Sequence, residues 1–290
     1  MRFWLSPVKL VLWLIHSMPL SWQMAIGDAL GIFWYDFLRV RRTVVNSNIE
    51  LAFPQWSAGD RSALARASMR NIGRSIVEYA SLPFLTKAKI NEIVEFQDMH
   101  IWTDLLKRGK GICALAMHVG NGDLANAALS LNGYPSHLLS KEFKLKWLND
   151  LWFGVREKHG TKFIPPRNSS FKCLRALNNN EVVIFVLDQF TGKPIGVKTT
   201  FFGVETGTGL GLAVMAERTG APVMPLVTFR RPDGRHVVRC LPEIPFENQG
   251  SKEETQRYMT QKYTDVIENW VRQHPEQWMW IHRRWKKFRD

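Results

Sequence analysis

The sequence has few cysteines. Cys113, Cys173 and Cys240 are the three among its 290 residues, and no two of them form a C-x-x-C pair. This pattern argues against a disulfide framework and against a structural zinc site, and it favours a reducing compartment such as the cytoplasm. Cys113 lies inside an apolar run, so we expect a small buried thiol there rather than a nucleophile.

Acidic residues are also scarce relative to basic ones. The chain has 39 Lys and Arg against 26 Asp and Glu, which gives a formal net charge of +13. This excess predicts an anionic partner: nucleic acid, an anionic membrane surface, or an acidic protein or substrate. No zinc finger, RNP strand or basic zipper is recognisable, so we favour a membrane or an acidic ligand and expect no nucleic acid. Twelve Trp and 17 Phe also suggest a membrane interface or an apolar ligand.

Charged side chains are missing from residues 10–27, apart from His16 when it is protonated. A stretch of about 18 residues is the lower limit for a membrane-spanning helix, and Pro19 can kink or end it. A second apolar stretch, residues 29–40, is rich in aromatic side chains. We predict that residues 1–40 form a membrane anchor, either as one helix or as a hairpin in the interface. A pair of buried core helices is the alternative.

The most informative stretch is residues 111–131. An apolar run of strand length, 112–117, ends at His118, and a glycine-rich turn leads to Asp123 and an alanine- and leucine-rich helix. We predict that Asp123 caps this helix and that its carboxylate orients the His118 ring, so that the imidazole can take a proton. The pattern His-x-x-x-x-Asp is weak by itself. The alternative is a hydrogen-bonded histidine at a strand end and an ordinary helix cap.

The rest of the chain alternates between helical and strand patterns, without repeats, low-complexity segments or interdomain linkers. This alternation predicts an α/β fold in which residues 41–290 form a single domain with a mixed, largely parallel central sheet flanked by helices. Asp188 follows the clearest buried strand, so in a parallel sheet it faces the same crevice edge as His118. The predicted strands are 112–117, 135–140, 161–165, 182–187, 223–230 and 236–241, and the main predicted helices are 123–131, 144–159, 169–178 and 253–273.

Several motifs together resemble a known family. They are His118-Val-Gly-Asn-Gly-Asp123, Phe201-Phe202-Gly203 with Thr206 and Thr208, the C-terminal block from Pro275 to Trp285, and the segment from Asn48 to Pro54. In this order they resemble the late acyltransferases of lipid A biosynthesis, the lauroyl and myristoyl transferases, which belong to the wider His-x-x-x-x-Asp/Glu acyltransferases of glycerolipid synthesis. The resemblance spans nearly the whole chain, and the C-terminal block is more specific than the His-Asp pair.

The resemblance implies transfer of a fatty acyl group from an acyl-carrier-protein thioester, or from acyl-CoA, to a lipid hydroxyl at the cytoplasmic face of the bacterial inner membrane. His118 would be the general base and Asp123 its partner. The implied mechanism requires neither a covalent acyl-enzyme nor a metal or other cofactor. The implied partners are the acyl carrier protein, the lipid acceptor and the anionic membrane, all of which suit a basic chain.

Two departures from the family leave the acceptor open. Where the family often has arginine followed by proline, this chain has Lys141, which lacks the bidentate fork of arginine. Family members that act on lipid A also often have Glu where this chain has Asp123. Another phospholipid, a glycolipid or an aminolipid is therefore an alternative acceptor.

Four further residues are candidates for substrate binding. Lys141 and Arg156 could contact an acceptor phosphate or the reacting carbonyl oxygen, Asp188 lies at the crevice edge, and Lys198 could face a lipid phosphate. Solvated surface charges or a loop-capping carboxylate are the alternatives. We expect Phe201 and Phe202 in the core. We assign His282 to a structural or membrane-facing edge rather than to catalysis, because no carboxylate lies near it in sequence.

A second class of function also fits these observations. The chain could be a membrane-surface lipid-binding protein that keeps the fold without turnover. The intact His118 and Asp123 pair favours an enzyme, because a protein that only binds lipid would not need it.

Overall fold

The computed structural model describes residues 7–140, 153–165 and 169–288, and a seven-stranded sheet lies at its centre. The helices are α1 (Pro7–Ser17), α2 (Leu20–Ile32) with a π-helical continuation (Phe33–Leu38), α3 (Arg42–Ala52), α4 (Ala58–Ser81), α5 (Lys87–Ile93), α6 (His100–Leu106), α7 (Gly122–Leu131), α8 (Ser169–Asn178), α9 (Gly211–Thr219) and α10 (Lys252–Gln273). The strands are β1 (Val94–Gln97), β2 (Ile112–Ala116), β3 (Ser136–Leu139), β4 (Lys162–Ile164), β5 (Val182–Val186), β6 (Gly196–Phe201), β7 (Val204–Gly209), β8 (Val223–Arg230) and β9 (His236–Cys240).

The strand order in the central sheet is β1-β9-β8-β2-β5-β3-β4. Strands β8 and β9 pair antiparallel, and the other pairs in this sheet are parallel. The predicted mixed, largely parallel sheet is therefore confirmed. Strand β2 is at the centre and almost fully buried, which explains its continuous apolar sequence.

The two faces of the sheet pack into two hydrophobic cores. Ile112 and Ala114 of β2 face the core that contains α6 and α7, whereas Cys113 and Leu115 face the core that contains α9 and α10. This alternation follows from the two-residue period of a strand. Cys113 is fully buried, as predicted, and burial raises the pKa of its thiol.

Two strand elements were not predicted. Strand β1 lies at the edge of the sheet and has four residues. Strands β6 and β7 form a separate antiparallel hairpin, which is not among the predicted strands. The hairpin is rich in threonine and glycine and is stabilised by contacts between its strands, such as the 2.7 Å hydrogen bond between the hydroxyls of Thr199 and Thr208. Of the predicted helix 144–159, residues 144–152 lie outside the described residues, and 153–158 are helical.

The N-terminal helices pack closely on α4. Gly27 and Gly31 of α2 face Gly73 of α4 so closely that a side chain at any of the three would overlap the backbone of the opposite helix. Asp28 and Arg74 add an ion pair across the same contact, with Oδ1 and Nε 2.5 Å apart. The α2 helix is therefore held to the rest of the chain by backbone-to-backbone packing.

The outer side of these helices is apolar. Exposed side chains here include Leu10, Trp13, Trp22, Phe33 and Phe37. Within the described residues no single helix has both the length and the apolar composition to cross a bilayer. The segments Lys9–Ser17 and Leu20–Leu38 meet both criteria as a pair, and they are bent by 119° relative to each other.

Candidate active site

His118 lies two residues beyond the end of β2, at the carboxyl edge of the sheet. Its Nδ1 is 2.7 Å from Oδ1 of Asp188, and its backbone N–H donates to Oδ2 of the same carboxylate at 2.7 Å. Because an ionised carboxylate only accepts hydrogen bonds, Nδ1 carries the proton and Nε2 of the neutral ring has a free lone pair. The His118 side chain is 38% exposed, whereas that of Asp188 is 2% exposed. The ring can therefore meet a molecule in the crevice.

The parallel pairing of β2 and β5 explains why these two residues meet. Ala116 of β2 is in register with Val186 of β5. His118 lies two positions after Ala116, and Asp188 lies two positions after Val186. The two residues are therefore side by side at the carboxyl edge of the sheet. The prediction that Asp188 faces the same crevice edge as His118 is confirmed.

The C-terminal block fixes the carboxylate. The indole Nε1–H of Trp278 donates to Oδ2 of Asp188 at 2.8 Å. The buried Arg284 guanidinium donates to the carbonyl oxygens of Gln189 and Gly207, at 3.0 and 2.7 Å. The loop that begins at Asp188 is thus bonded to the motif that carries the family resemblance, a contact that the sequence analysis did not anticipate.

The His118–Asp188 pair shifts the acidity of both groups. Burial would raise the pKa of Asp188, but the charge of His118 and the hydrogen bonds from His118 and Trp278 outweigh it and lower the pKa to about 2. Burial would lower the pKa of His118, but the charge and hydrogen bond of Asp188, with a smaller contribution from the charge of Asp123, raise it. The imidazole is therefore a stronger base than an isolated histidine.

The hydrogen bond to the His118 ring that the sequence analysis assigned to Asp123 is made by Asp188 instead. Asp123 pairs with the buried Arg156, whose Nε and Nη2 lie 2.8 and 2.5 Å from Oδ1 of Asp123. The Tyr79 hydroxyl also hydrogen-bonds Asp123. The carboxylate faces these partners because it sits on the first turn of α7, whereas the parallel register brings Asp188 directly to the ring.

The cap of α7 also differs from the prediction. Helix α7 begins at Gly122, and its N-cap is Asn121, whose Oδ1 accepts from the backbone N–H groups of Asp123 and Leu124. Asp123 is the second residue of the helix, and the N-cap is Asn121. The preceding Gly120 has a φ of +65° and packs against the backbone of Phe229, which favours glycine there.

A buried charged cluster lies behind this turn. Glu78 accepts from Nδ2 of Asn121 at 2.7 Å, from Nη2 of Arg230 at 2.7 Å and from Nε2 of His236 at 2.8 Å. Burial would raise the pKa of Glu78, but the charges of His236 and Arg230 outweigh it and lower the pKa well below its ordinary value. Asn71, Ser75 and Glu78 form a polar stripe at helical spacing on α4, a sequence signal that could have revealed the cluster.

An apolar cavity of about 240 Å³ opens beside His118. It lies between α4, α7 and the sheet. Among its described lining residues, the titratable side chains are those of His118, Asp123 and Tyr79. Its apolar lining includes Ile72, Ile76, Ala125, Leu129, Leu138, Ile184, Val186, Leu226, Val238 and Ile281. A space of this chemistry can hold an alkyl chain with one end at the histidine.

The remaining predicted site residues are spread more widely. Lys141 lies outside the described residues. Lys198 lies on β6, does not line this cavity and forms an ion pair with Glu205 at 3.1 Å. Phe201 and Phe202 are buried, as predicted. Within residues 7–140, 153–165 and 169–288, no group of three or more His, Cys, Asp or Glu side chains could hold a metal ion.

The fold and the site define an α/β protein in which a histidine, hydrogen-bonded to a buried carboxylate, faces an apolar cavity. A family model described as bacterial lipid A biosynthesis acyltransferase matches residues 1–287. The chain belongs to this family, and it is an acyltransferase of lipid A biosynthesis.

Individual relatives agree with this assignment. The chain is 27% identical to a lipid A biosynthesis lauroyltransferase of Escherichia coli and 26% identical to a lipid A biosynthesis palmitoleoyltransferase of the same organism. Each of these matches covers 98% of this chain and 92% of the relative. A phosphatidylinositol mannoside acyltransferase of Mycolicibacterium smegmatis is 26% identical over 77% of this chain and 72% of its own length.

Proposed function

We propose that this protein transfers a fatty acyl group from an acyl-carrier-protein thioester to a hydroxyl group of a lipid A precursor, with His118 as the general base. The observation that carries the proposal is the His118–Asp188 hydrogen bond at the mouth of the apolar cavity. The bond leaves Nε2 of the neutral ring as the acceptor for a proton, and the cavity offers space for the acyl chain beside it.

The reaction proceeds through one tetrahedral intermediate. Nε2 of His118 takes the proton of the acceptor hydroxyl as its oxygen attacks the thioester carbonyl carbon, and the carbonyl oxygen becomes negatively charged. The imidazolium is stabilised by the buried Asp188 carboxylate. When the carbon–sulfur bond breaks, the leaving thiolate takes the proton from His118, which yields the ester and a free thiol.

Asp123 supports this base from a distance. Its charge favours the protonated form of His118, and its ion pair with Arg156 holds it on the wall of the cavity. We therefore assign Asp123 an electrostatic part in stabilising the imidazolium. Direct contact of Lys141, Arg156 or Lys198 with the substrate remains a prediction.

The proposed partners follow from charge and surface. A net charge of +13 suits an acidic carrier protein, a phosphorylated acceptor and an anionic membrane. Exposed apolar side chains on α1 and α2, such as Trp13 and Trp22, suit insertion into a membrane interface. The cytoplasmic face of the bacterial inner membrane, where acyl carrier protein is available, is the location we propose.

A second acceptor class is also favoured by a specific observation. The similarity to a phosphatidylinositol mannoside acyltransferase, together with Asp rather than Glu at position 123, suggests a mannosylated phospholipid as the alternative. Either acceptor presents a hydroxyl group to the same base, so the chemistry at His118 is unchanged.

The test is acyl transfer from radiolabelled acyl-carrier protein to a purified lipid A precursor and, separately, to phosphatidylinositol mannosides. We expect transfer to the lipid A precursor by wild type and by His100→Ala, a control at an exposed histidine on α6. His118→Ala should lower kcat by at least about 10²-fold. Transfer to the mannosides alone would reassign the acceptor, and wild-type turnover by His118→Ala would refute the general-base role.

A further inference from the structure

His282 lies against the same loop as the His118–Asp188 pair. Its Nε2 accepts a hydrogen bond from the backbone N–H of Phe190 at 3.3 Å, and Phe190 follows Asp188 by two residues. The two imidazole rings are therefore tethered to one three-residue segment, His118 through the Asp188 side chain and His282 through the Phe190 backbone. The sequence predicts a structural or membrane-facing edge for His282, but its ring lies against the loop that begins at Asp188.

The hydrogen bond from Phe190 also determines the tautomer of the neutral ring. A nitrogen that accepts from an amide N–H has no proton of its own, so in neutral His282 the proton is on Nδ1. Within the described part of the chain no group accepts from this Nδ1–H, and Nδ1 is not among the buried polar atoms that lack a partner. His282 thus offers one free hydrogen-bond donor, and the residue before it, Ile281, lines the cavity beside His118.

The position of this donor is well fixed. Nδ2 of Asn48 donates to the His282 carbonyl oxygen at 2.6 Å, and the backbone N–H of Arg284 donates to the same oxygen at 2.9 Å. The backbone N–H of Met279 in turn donates to the carbonyl oxygen of His118 at 3.1 Å. The segment that carries His282 is therefore bonded directly to the residue that carries the base.

Burial, with the nearby positive charges, keeps this ring neutral. Burial lowers the pKa of His282 to about 4; the Asp188 carboxylate opposes the shift, while positive charge on His118, Lys286 and Arg284 adds to it. A neutral imidazole donates a hydrogen bond without giving up its proton to solvent, and a preorganised donor of this kind stabilises negative charge that develops on a carbonyl oxygen.

We propose that His282 is a catalytic residue that donates a hydrogen bond from Nδ1 to the carbonyl oxygen of the acyl thioester. This inference rests on the proposed acyl transfer. The donor binds most strongly when the attack of the acceptor hydroxyl converts the carbonyl oxygen into an oxyanion. His282 transfers no proton, since His118 takes the hydroxyl proton and later returns it to the leaving thiolate.

Two substitutions separate this role from a structural one. The amide nitrogen of asparagine is attached at Cγ, as Nδ1 of histidine is, so His282→Asn keeps a donor near the proposed position and loses the acceptor for Phe190. The amide of glutamine reaches the position of Nε2, so His282→Gln keeps an acceptor for Phe190 and loses the Nδ1 donor. A purely structural role predicts the opposite order of activities.

We expect His282→Gln to lower kcat by about 10²–10³-fold, the usual effect of removing one oxyanion donor, with little change in KM. His282→Asn should stay within about tenfold of wild type. Thermal unfolding of both variants and of the exposed control His100→Gln would report on folding. Equal losses in the two variants, or a larger loss in His282→Asn, would overturn the proposal.

A second measurement does not depend on turnover. Long-range ¹⁵N–¹H NMR of the wild-type protein should show His282 as the Nδ1–H tautomer from pH 5 to pH 8, and the Nε2–H tautomer or an imidazolium in this range would refute the proposal. If wild type transfers no acyl group from any thioester, both the proposed acyl transfer and the proposed role of His282 are wrong. If wild type is active and His282→Gln is equally active, only the assignment of His282 fails.

Discussion

Asn121 and Glu78 are joined by a 2.7 Å hydrogen bond that links the turn after His118 to helix α4. The same Asn121 side chain caps α7, so one residue fixes both the start of the helix and its attachment to a buried carboxylate. The turn that carries His118 and Asp123 is thereby attached to α4.

Asn121→Ala should therefore reduce both stability and turnover. Loss of the cap is expected to lower the free energy of unfolding by about 1–2 kcal/mol, and kcat should fall more than KM rises, because the turn behind the base is loosened. Urea unfolding and steady-state kinetics measure the two effects. The matched control is Ser57→Ala, which removes an exposed cap from the start of α4; it should cost about 1 kcal/mol and leave kcat unchanged. An equal fall of kcat in the two variants would contradict this role of Asn121.

The pH dependence of turnover should reveal the partner of His118. The general base must be neutral, and the pKa of His118 is raised above its ordinary 6.5, so the acid limb of kcat/KM should lie above pH 6.5. Asp188→Asn removes the group that raises this pKa, while burial still lowers it. The acid limb should therefore move to lower pH, and kcat should fall by about 10²–10⁴-fold.

Asp123→Asn is the comparison for this experiment. It leaves the Nδ1 hydrogen bond to Asp188 intact and removes a weaker electrostatic contribution. Its acid limb should therefore move less than that of Asp188→Asn. A larger shift of the acid limb in Asp123→Asn would mean that Asp123, rather than Asp188, is the partner of the His118 ring.

The size of the cavity should limit the acyl chain. Ala125 of α7 lines it, and Ala125→Leu would fill part of its volume. Each methylene that no longer fits forfeits about 0.8 kcal/mol, so kcat/KM should fall for the longest chains that wild type accepts and change little for shorter ones. Competition among acyl-carrier proteins of several chain lengths measures this preference. Ala88→Leu, at an exposed position on α5, should leave it unaltered, and an unchanged preference in Ala125→Leu would place the chain elsewhere.

Membrane binding should depend on the exposed aromatic side chains of the N-terminal helices. Burying one large apolar side chain contributes about 1.5–3 kcal/mol, so Trp13→Glu and Trp22→Glu should each weaken binding by about tenfold or more. Sedimentation with vesicles of anionic phospholipid measures this loss. Phe171→Glu, at a residue of α8 that is 71% exposed, is the control, and an equal loss in that variant would mean that the membrane contact is not specific to the N-terminal helices.

Much of the fold could be predicted because it depends on local patterns. The apolar runs of β2, β5 and β8 are long enough to identify each strand, and helices such as α7 and α10 show apolar residues at helical spacing. The proximity of His118 and Asp188 could also be predicted, because each residue follows the end of a strand and the two strands are parallel neighbours. The β6–β7 hairpin did not follow, because its threonine- and glycine-rich sequence becomes a strand pair through contacts between its strands and with α10.

The finer geometry of the site was less predictable. His118 and Asp123 are five positions apart in the sequence, and this short spacing predicts that the carboxylate bonds the ring. The choice between Asp123 and Asp188 depends on strand register and on the position of Arg156, which comes from a distant segment. The hydrogen bonds from Trp278 to Asp188 and from Asn121 to Glu78 likewise join residues far apart in the chain.

The glycine contact between α2 and α4 has a consequence for a lipid enzyme. Gly31 and Gly73 pack backbone against backbone, and Ile72 and Ile76 on the same α4 helix line the cavity. On a bilayer, the N-terminal helices and the reaction centre would then move as one rigid body. The depth of the cavity mouth relative to the lipid headgroups would be set once, during folding, and would not have to be adjusted in each turnover.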